Sequence, residues 1–240
     1  MTPESPQPRI EHEHGDVTGG WLRPAVFGAM DGLVSNAALI AGVAGGTRDH
    51  ADNTVVVLAG LAGLAAGAFS MAAGEYVSVA SQSEAAELEV AKERREIVDH
   101  PDDETAELAA TLEDRGVDPE VAREAAAQIH RDLDNAVAVH SREEFGIDPD
   151  ELASPMVAAV SSFVSFAVGA LLPVLPYLLG AQSLVPAMVL ALVALFACGA
   201  LVTRFTSRPW WYGGLRQVLL GGAAFALTYG VGMGVGAGLG

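Results

Sequence analysis

The chain has 240 residues, 51% of them hydrophobic, with a mean hydropathy of +0.34, which favours a membrane protein with a substantial polar part over a plain globular domain. Its formal charge of −17 is unevenly distributed along the chain, because residues 84–151 hold 22 acidic and 7 basic side chains. That segment has no apolar run of membrane length, and its surface repels nucleic acid and anionic lipid while it attracts cations. The single cysteine, Cys198, excludes a disulfide framework or a thiolate zinc site within one chain.

Residues 1–20 are polar and contain prolines, and they lack the apolar core of a signal peptide. We predict a disordered tail there. The run Glu11-His12-Glu13-His14 is a weak metal-binding candidate, but a solvated tail is the preferred interpretation of this segment.

Five stretches are long and apolar enough to cross a membrane as helices, which takes about 20 residues each. They are residues 24–46, 54–74, 156–179, 184–202 and 213–239. Pro173 and Pro176 predict a kink or an interruption in the third span. Glycines four residues apart, such as Gly28 and Gly32, favour close packing of the first. The predicted fold class is all-α, a polytopic membrane protein with five transmembrane helices.

Basic residues near the span ends predict the orientation of the chain. Arginines follow the second span and lie between the fourth and fifth, whereas the loop after the first span holds one arginine and the loop after the third has no charge. The arginine-rich sides fall in the cytoplasm if the N-terminus is inside. Residues 84–151 are then cytoplasmic and the C-terminus is outside. One lysine against twelve arginines is typical of a GC-rich prokaryotic genome, so we expect a bacterial plasma (inner) membrane.

A three-helix cytoplasmic insertion is predicted between the second and third spans. Its first helix continues the second span, because residues 75–98 lack glycine and proline and are rich in alanine, glutamate and arginine. Pro101 is expected to end that helix. Asp102 or Asp103 is then expected to cap a second helix that runs to about Arg115.

The third helix of the insertion is predicted to begin at Asp118-Pro119, where the carboxylate acts as cap and proline takes the first helical position. We expect it to run to about Phe145 and to stop at Gly146. These boundaries divide the chain into a tail (1–20), the first two spans (21–83), an acidic helical domain (84–151) and the last three spans (152–240).

Carboxylates of the acidic domain form pairs that share a helix face, because residues three or four apart lie on the same side of a helix. A tight turn at Pro101 would bring together the pairs of the first two helices, and the third adds a histidine and a glutamate. Oxygen ligands with one imidazole suit Mn²⁺ and Fe²⁺, and several carboxylates together also bind Zn²⁺ or Co²⁺. A plain solvated acidic surface stays open as the alternative. The candidate metal ligands are Glu93, Glu96, Glu104, Glu107, His140 and Glu144.

Asp31 lies inside the first span, where a carboxylate costs about 2.5–3.5 kcal/mol and usually faces a pathway or a partner. The alternative is a carboxylate that is protonated or that caps a neighbouring helix. The helical rise places Asp31 about 12 Å past Arg23 and Met71 about 26 Å past Thr54, so both are expected in the cytoplasmic half. The Met71 thioether is a weakly held ligand, although packing alone also explains it. Glu75 lies one turn closer to the cytoplasm. It either forms the mouth of the ion pathway or only extends its side chain to the membrane–water interface.

Five segments together carry a family resemblance. They are DGLV from Asp31, AGVAG from Ala41, AAGAFSMAAGEY from Ala65, ERREI from Glu93 and RPW from Arg208. In this combination the chain resembles the vacuolar iron transporter family, and the first three segments are similar to that family's first two helices. The resemblance covers nearly the whole chain after the tail.

The resemblance implies a homodimer of five-helix protomers that exchanges cytoplasmic Fe²⁺ for protons. It implies that Asp31 and Met71 line the route and that the cytoplasmic glutamates bind metal. The chain departs from plant-type members at Gly63, where they carry an acidic residue, and at His140-Ser141, where they carry a methionine pair. The first departure leaves the proton coupling open, and the second leaves the metal preference open.

The preferred function is a proton-coupled exporter of divalent metal, Fe²⁺ and also Mn²⁺, with no resident cofactor. One alternative is a membrane-anchored, carboxylate-bridged di-iron enzyme, which requires two Glu-x-x-His motifs on bundle helices. The chain has one such motif, at Glu11 in the tail. Another alternative is a metal sensor, which has no use for a carboxylate such as Asp31 inside the membrane. We therefore expect a transporter rather than an enzyme, with metal ions, protons and the lipid bilayer as its partners.

Overall fold

The computed structural model describes residues 20–47, 53–205 and 207–239, and within these ranges the chain forms helices and their connections without a strand. The predicted all-α class is confirmed. The helices, labelled α1 to α9 in chain order, are Leu22–Gly46, Asn53–Asp99, Pro101–Asp114, Pro119–Ile129, Leu133–Glu144, Pro155–Leu171, Leu175–Leu178, Leu184–Val202 and Trp210–Leu239. The predicted disordered tail, with its two histidines, lies outside the described residues except for Gly20.

Four of these helices, α1, α2, α8 and α9, are long and apolar enough to span a membrane. A fifth apolar helix, α6, has 17 residues and is followed by the short α7. Pro173 is buried between them and Pro176 lies at the start of α7, so the predicted interruption of the third span is confirmed. The protein is a multi-pass membrane protein, and the count of five spans stays a prediction.

Helix α1 lies at the centre of the membrane part, where it contacts α2, α6, α8 and α9. It approaches α6 closely because Gly32 has no side chain. A Cβ atom at Gly32 would lie 2.3 Å from the carbonyl oxygen of Phe166. On another side, Leu33 of α1 packs in an apolar core with Leu195 and Phe225. The side chains of α1 are therefore positioned by four neighbouring helices.

Helix α2 is continuous over 47 residues, or about 70 Å at 1.5 Å per residue. The hydrocarbon core of a membrane is about 30 Å thick, so α2 extends well beyond it into the acidic domain (residues 84–151). It ends at Asp99, just before Pro101, as predicted. His100 leaves the helical region with φ −135° and ψ 54°.

The start of α3 differs from the prediction. Asp102 and Asp103 were expected to cap this helix, but α3 begins at Pro101, and both aspartates lie inside its first turn. His100 takes the cap position without a side-chain hydrogen bond. Proline fits the first helical position because a backbone N–H there has no partner within the helix, and the aspartates interact favourably with the helix dipole.

The predicted third helix of the acidic domain is divided into α4 and α5. Asp118 caps α4 as expected. The helix then ends at Ile129, because the Asp132 carboxylate caps a new helix by accepting hydrogen bonds of 2.9 and 3.1 Å from backbone N–H groups two and three residues further on. Helix α5 ends at Glu144, close to the predicted end, and Gly146 follows with φ 67°.

Two small apolar cores hold the acidic domain together. In one, Ile97 of α2 packs against Ala136 and Val137 of α5. In the other, Leu108 of α3 packs against Ala126 of α4. This packing brings one face each of α2, α3 and α5 towards the interior of the domain.

Candidate metal sites

Four side chains from α2, α3 and α5 meet inside the acidic domain. We call them the carboxylate–histidine cluster; they are Glu93, Glu104, His140 and Glu144. The Nδ1 of His140 lies 3.0 Å from Oε1 of Glu93 and 3.0 Å from Oε1 of Glu144. Oε2 of Glu104 is 3.7 Å from the same nitrogen. The turn at Pro101 and the four-residue spacing on α5 thus bring together four of the six predicted ligands.

Burial governs the electrostatics of the cluster. Glu93 is 2% exposed and His140 is 1% exposed. Burial, and then the neighbouring Glu144 carboxylate, raise the pKa of Glu93 to about 7. Burial also raises the pKa of Glu104, and the Glu107 carboxylate is the next cause. Near neutral pH Glu93 is therefore partly protonated, and a cation that binds there must displace the proton.

Two buried atoms of the cluster have no hydrogen-bond partner, Oε1 of Glu93 and Nε2 of His140. The Nδ1 of His140 bonds to Glu144. Glu93 Oε1 lies at the same distance from that nitrogen, but outside the direction of a hydrogen bond. An unpartnered buried polar atom costs about 1–3 kcal/mol, so a buried carboxylate oxygen of this kind is well suited to receive a cation.

The size of the cluster fits one metal ion. One ligand atom from each of the four residues lies within 4.8 Å of the other three. Ligands at about 2.1 Å from an ion are at most about 4.2 Å apart, so a contraction of about 0.6 Å suffices. Three carboxylates and one imidazole are a donor set that accepts Mn²⁺, Fe²⁺, Co²⁺ or Zn²⁺.

The other two predicted ligands, Glu96 and Glu107, lie outside the cluster. Oε1 of Glu96 is 3.9 Å from the Lys92 ammonium, and Glu107 is exposed on α3. Their charges still reach the cluster, because Glu96 contributes to the raised pKa of Glu93, and Glu107 to that of Glu104. They surround the site with negative charge, which attracts a cation without coordinating it.

His130 is a neighbour of the cluster that sequence reasoning missed. Its ring meets the His140 ring edge to face, with 5.1 Å between centroids. Its Nδ1 donates to the carbonyl oxygen of Ala126 at 2.9 Å, which assigns the proton, since a carbonyl only accepts. His130 thereby supports the orientation of His140. No local spacing connects the two rings, because the turn between α4 and α5 separates them.

A second candidate site lies in the membrane part between α1, α2 and α6. It is a cavity of about 260 Å³, and both Asp31 and Met71 line it. Ser35, Asn36 and Gly63 are among the other lining residues. No described basic side chain pairs with the Asp31 carboxylate, whereas arginines of the acidic domain do form ion pairs with carboxylates. Asp31 of the first span and Met71 of the second therefore share one cavity.

Glu75 follows Met71 by one helical turn on α2, is half-buried and does not line the cavity. Helix α2 continues without a break from Met71 past Glu75 to Glu93, a distance of about 33 Å along its axis. One rigid element therefore connects the membrane cavity to the carboxylate–histidine cluster.

Asn36 is a polar residue of the first span that sequence reasoning also missed. It is 2% exposed, and its Nδ2 donates to the carbonyl oxygens of Gly60 at 3.1 Å and Ala170 at 2.6 Å. It therefore ties α1 to α2 and α6. The available signal was an amide inside an apolar span, because such side chains usually bond across helices.

Both candidate sites lie in a region of the chain that matches a known protein family. Residues 22–233 match the model of the VIT family. The chain belongs to the VIT family. It is 38% identical to the vacuolar iron transporter of Acanthamoeba castellanii over 90% of this chain and 78% of that protein. It is 28% identical to vacuolar iron transporter 1 of Oryza sativa subsp. japonica over 92% of this chain and 88% of the rice protein.

A third relative is vacuolar iron transporter homolog 1 of Arabidopsis thaliana, which is 32% identical over 88% of this chain and 81% of that protein. The matched region contains the membrane cavity and the whole acidic domain. The family resemblance inferred from the sequence segments is confirmed.

Proposed function

We propose that this VIT family protein exports Fe²⁺, and also Mn²⁺, from the cytoplasm in exchange for protons. The observation that carries the proposal is the shared cavity of Asp31 and Met71 in the membrane part, joined by α2 to a metal-sized carboxylate–histidine cluster. The relatives named above are iron transporters by name, which supports iron as the substrate.

The cluster acts as the collecting site for the ion. Its three carboxylates and the imidazole of His140 replace water ligands of a cytoplasmic cation, and the surrounding acidic surface raises the local cation concentration. Binding releases the proton that burial stabilises on Glu93. Affinity therefore responds to pH in the physiological range.

The membrane cavity acts as the transit site. Asp31 supplies the negative charge that a divalent ion needs inside the bilayer, and Met71 supplies a soft ligand that releases the ion readily. Glu75 lies one turn towards the acidic domain and marks the entrance. Asp31 and Glu75 are the carboxylates available to carry the counter-transported proton.

The distribution of arginines around the spans supports the direction of transport. The acidic domain and the N-terminus lie in the cytoplasm and the C-terminus lies outside, so an ion collected by the cluster leaves the cell. We assign the protein to a plasma membrane, although the relatives are named vacuolar, because its composition is typical of a prokaryote.

The working unit is a homodimer. The cavity lies at the surface where α1 and α2 meet, and Leu39, one of its lining residues, is 40% exposed in the single chain. A second copy against this surface would enclose the cavity and keep lipid out of the route. An enzyme or a sensor is less well supported, since the cluster contains one histidine and neither function uses Asp31.

Ion flux into proteoliposomes tests the proposal. Fe²⁺ should enter vesicles when a pH gradient is imposed, and dissipating the gradient with a protonophore should stop net uptake. Proton movement in the opposite direction is followed with a pH dye in the lumen. Fe²⁺ uptake that is independent of the pH gradient would contradict the proposed proton coupling. Absence of uptake with and without the gradient would contradict the proposed transport function.

A further inference from the structure

The side-chain oxygen of Asn36 has no assigned role in the fold. Asn36 is 2% exposed, and its Oδ1 has no hydrogen-bond partner. We propose that Asn36 Oδ1 is a ligand of the transported ion, placed next after Asp31 along the route. This inference rests on the proposed function, because it gives the same membrane cavity a further ligand and a basis for selectivity.

The orientation of the Asn36 amide follows from its partners. Its Nδ2 donates to the carbonyl oxygens of Gly60 and Ala170. Carbonyl oxygens only accept hydrogen bonds, so a flipped amide would set its oxygen against two other oxygens. Both N–H groups are thus used to hold α1, α2 and α6 together, and the oxygen is fixed on the opposite side of the amide.

That side faces Gly63 of α2. A Cβ atom at Gly63 would lie 2.8 Å from Asn36 Oδ1, so the missing side chain leaves room in front of the oxygen. Gly63 and Asn36 both line the cavity that contains Asp31 and Met71. The oxygen is therefore directed to the wall of the proposed route rather than into the packed apolar core.

The position along α1 gives Asn36 its place in the sequence of ligands. It lies five residues after Asp31, or about 7.5 Å further along the helix axis, and about 20 Å past Arg23. This is near the middle of a hydrocarbon core of about 30 Å. An unpartnered amide oxygen is costly at such a depth, and an ion relieves that cost. A neutral oxygen also holds a cation less tightly than a carboxylate does, so the ion can move on.

The chemistry of the amide oxygen predicts its effect on selectivity. Oxygen ligands favour harder ions such as Mn²⁺, whereas the Met71 thioether suits softer ions such as Cd²⁺. Removal of the Asn36 oxygen should therefore impair Mn²⁺ movement more than Cd²⁺ movement. Misfolding or poor insertion would lower both fluxes by the same factor, so the flux ratio separates a ligand from a purely structural residue.

Asn36→Ala is tested by Mn²⁺ and Cd²⁺ uptake into the same proteoliposome preparation. We expect the ratio of Mn²⁺ to Cd²⁺ flux to fall about tenfold, in the range seen when a metal site loses one supporting group. The matched control is Asn53→Ala, which removes a hydrogen bond from Asn53 Nδ2 to the carbonyl oxygen of Ala181 outside the cavity. Its flux ratio should equal that of the wild type.

Gly63→Ala provides a second test if Asn36→Ala does not fold. It keeps the amide and places a methyl group against Asn36 Oδ1 and against the end of the flexible Leu39 side chain. We expect the same fall in the flux ratio. An unchanged ratio in folded Asn36→Ala, or in folded Gly63→Ala when the first variant is lost, overturns the proposal and leaves Oδ1 as an oxygen that binds water only. Asp31→Ala separates failure of this inference from failure of the proposed function. Wild-type flux in a folded Asp31→Ala protein would overturn the membrane cavity as the transport route.

Discussion

The Nδ1 atom of His140 lies 3.0 Å from the Oε1 atom of Glu93, although 47 residues separate them in the chain. Both side chains are almost completely buried in a domain whose surface is strongly acidic. The contact requires three separate features: the extension of α2 beyond the membrane, the turn at Pro101 and the break between α4 and α5. These features place a compact ligand set at the far end of a membrane helix.

Glutamine substitution of two cluster glutamates should weaken metal binding. Glu93→Gln with Glu104→Gln deletes two of the three carboxylates in the cluster while it keeps size and helix propensity. We expect affinity for Mn²⁺ or Co²⁺ to fall at least about tenfold, measured by isothermal calorimetry on the full-length protein in detergent.

The chain contains a matched control for this variant. Glu96→Gln with Glu107→Gln removes the same charge at the same helix spacing, but from side chains outside the cluster. Loss of these more exposed charges should weaken binding by about fivefold or less. Equal losses in the two double variants would reduce the domain to a general acidic surface.

Metal binding should weaken below neutral pH. The pKa of Glu93 is raised to about 7, so the ion competes with a proton there as the pH falls. Affinity should be about tenfold lower at pH 6 than at pH 8. In Glu93→Gln the pH dependence over this interval should become shallower. Calorimetry in buffers with different ionisation enthalpies would count the released protons, and identical counts in both proteins would contradict the assignment to Glu93.

The stability of the metal-free domain should change with pH in the opposite direction to the metal affinity. A carboxyl group whose pKa is raised by folding stabilises the folded state below its ordinary pKa of 4.5, and this contribution is lost as the pH rises through about 7. Glu93→Gln avoids the buried charge, so it should stabilise the metal-free domain at pH 8 by up to about 3 kcal/mol and have little effect near pH 4.5. Hydrogen exchange of α5 would measure the difference. Greater protection of the wild type at pH 8 without metal would contradict it.

Local patterns predicted much of this architecture. Proline marked the end of α2 and the interruption after α6. The helical spacing of glutamates and one histidine gave six candidate ligands, which include the four members of the cluster. The break between α4 and α5 was missed because an alanine-rich helical pattern concealed the cap at Asp132. Asn36 was missed for a different reason. Its two acceptors lie 24 and 134 residues away in the chain, so no local pattern contains their arrangement.

The dimer should bring α1 helices close together. Leu39 lines the cavity and is 40% exposed in the single chain, so Leu39→Cys in a Cys198→Ser background should form a cross-link between protomers with a short thiol reagent. Val189→Cys is the matched control, because Val189 on α8 is 55% exposed and does not line the cavity. Full transport by a protein that is monomeric in the bilayer would contradict the proposed homodimer.

Asp31→Asn should abolish transport while it leaves metal collection intact. The substitution keeps the shape of the side chain but removes the charge that a divalent ion needs within the bilayer. Fe²⁺ flux should fall to that of empty vesicles, whereas calorimetry should show unchanged affinity at the carboxylate–histidine cluster, because the cluster lies about 33 Å further along α2 than Met71. The complementary variant, Glu93→Gln with Glu104→Gln, should reverse this pattern, with weak binding and a reduced but measurable flux. Wild-type flux in a folded Asp31→Asn protein would exclude the cavity as the route, since Asp31 is the one charged side chain among the described residues that line it.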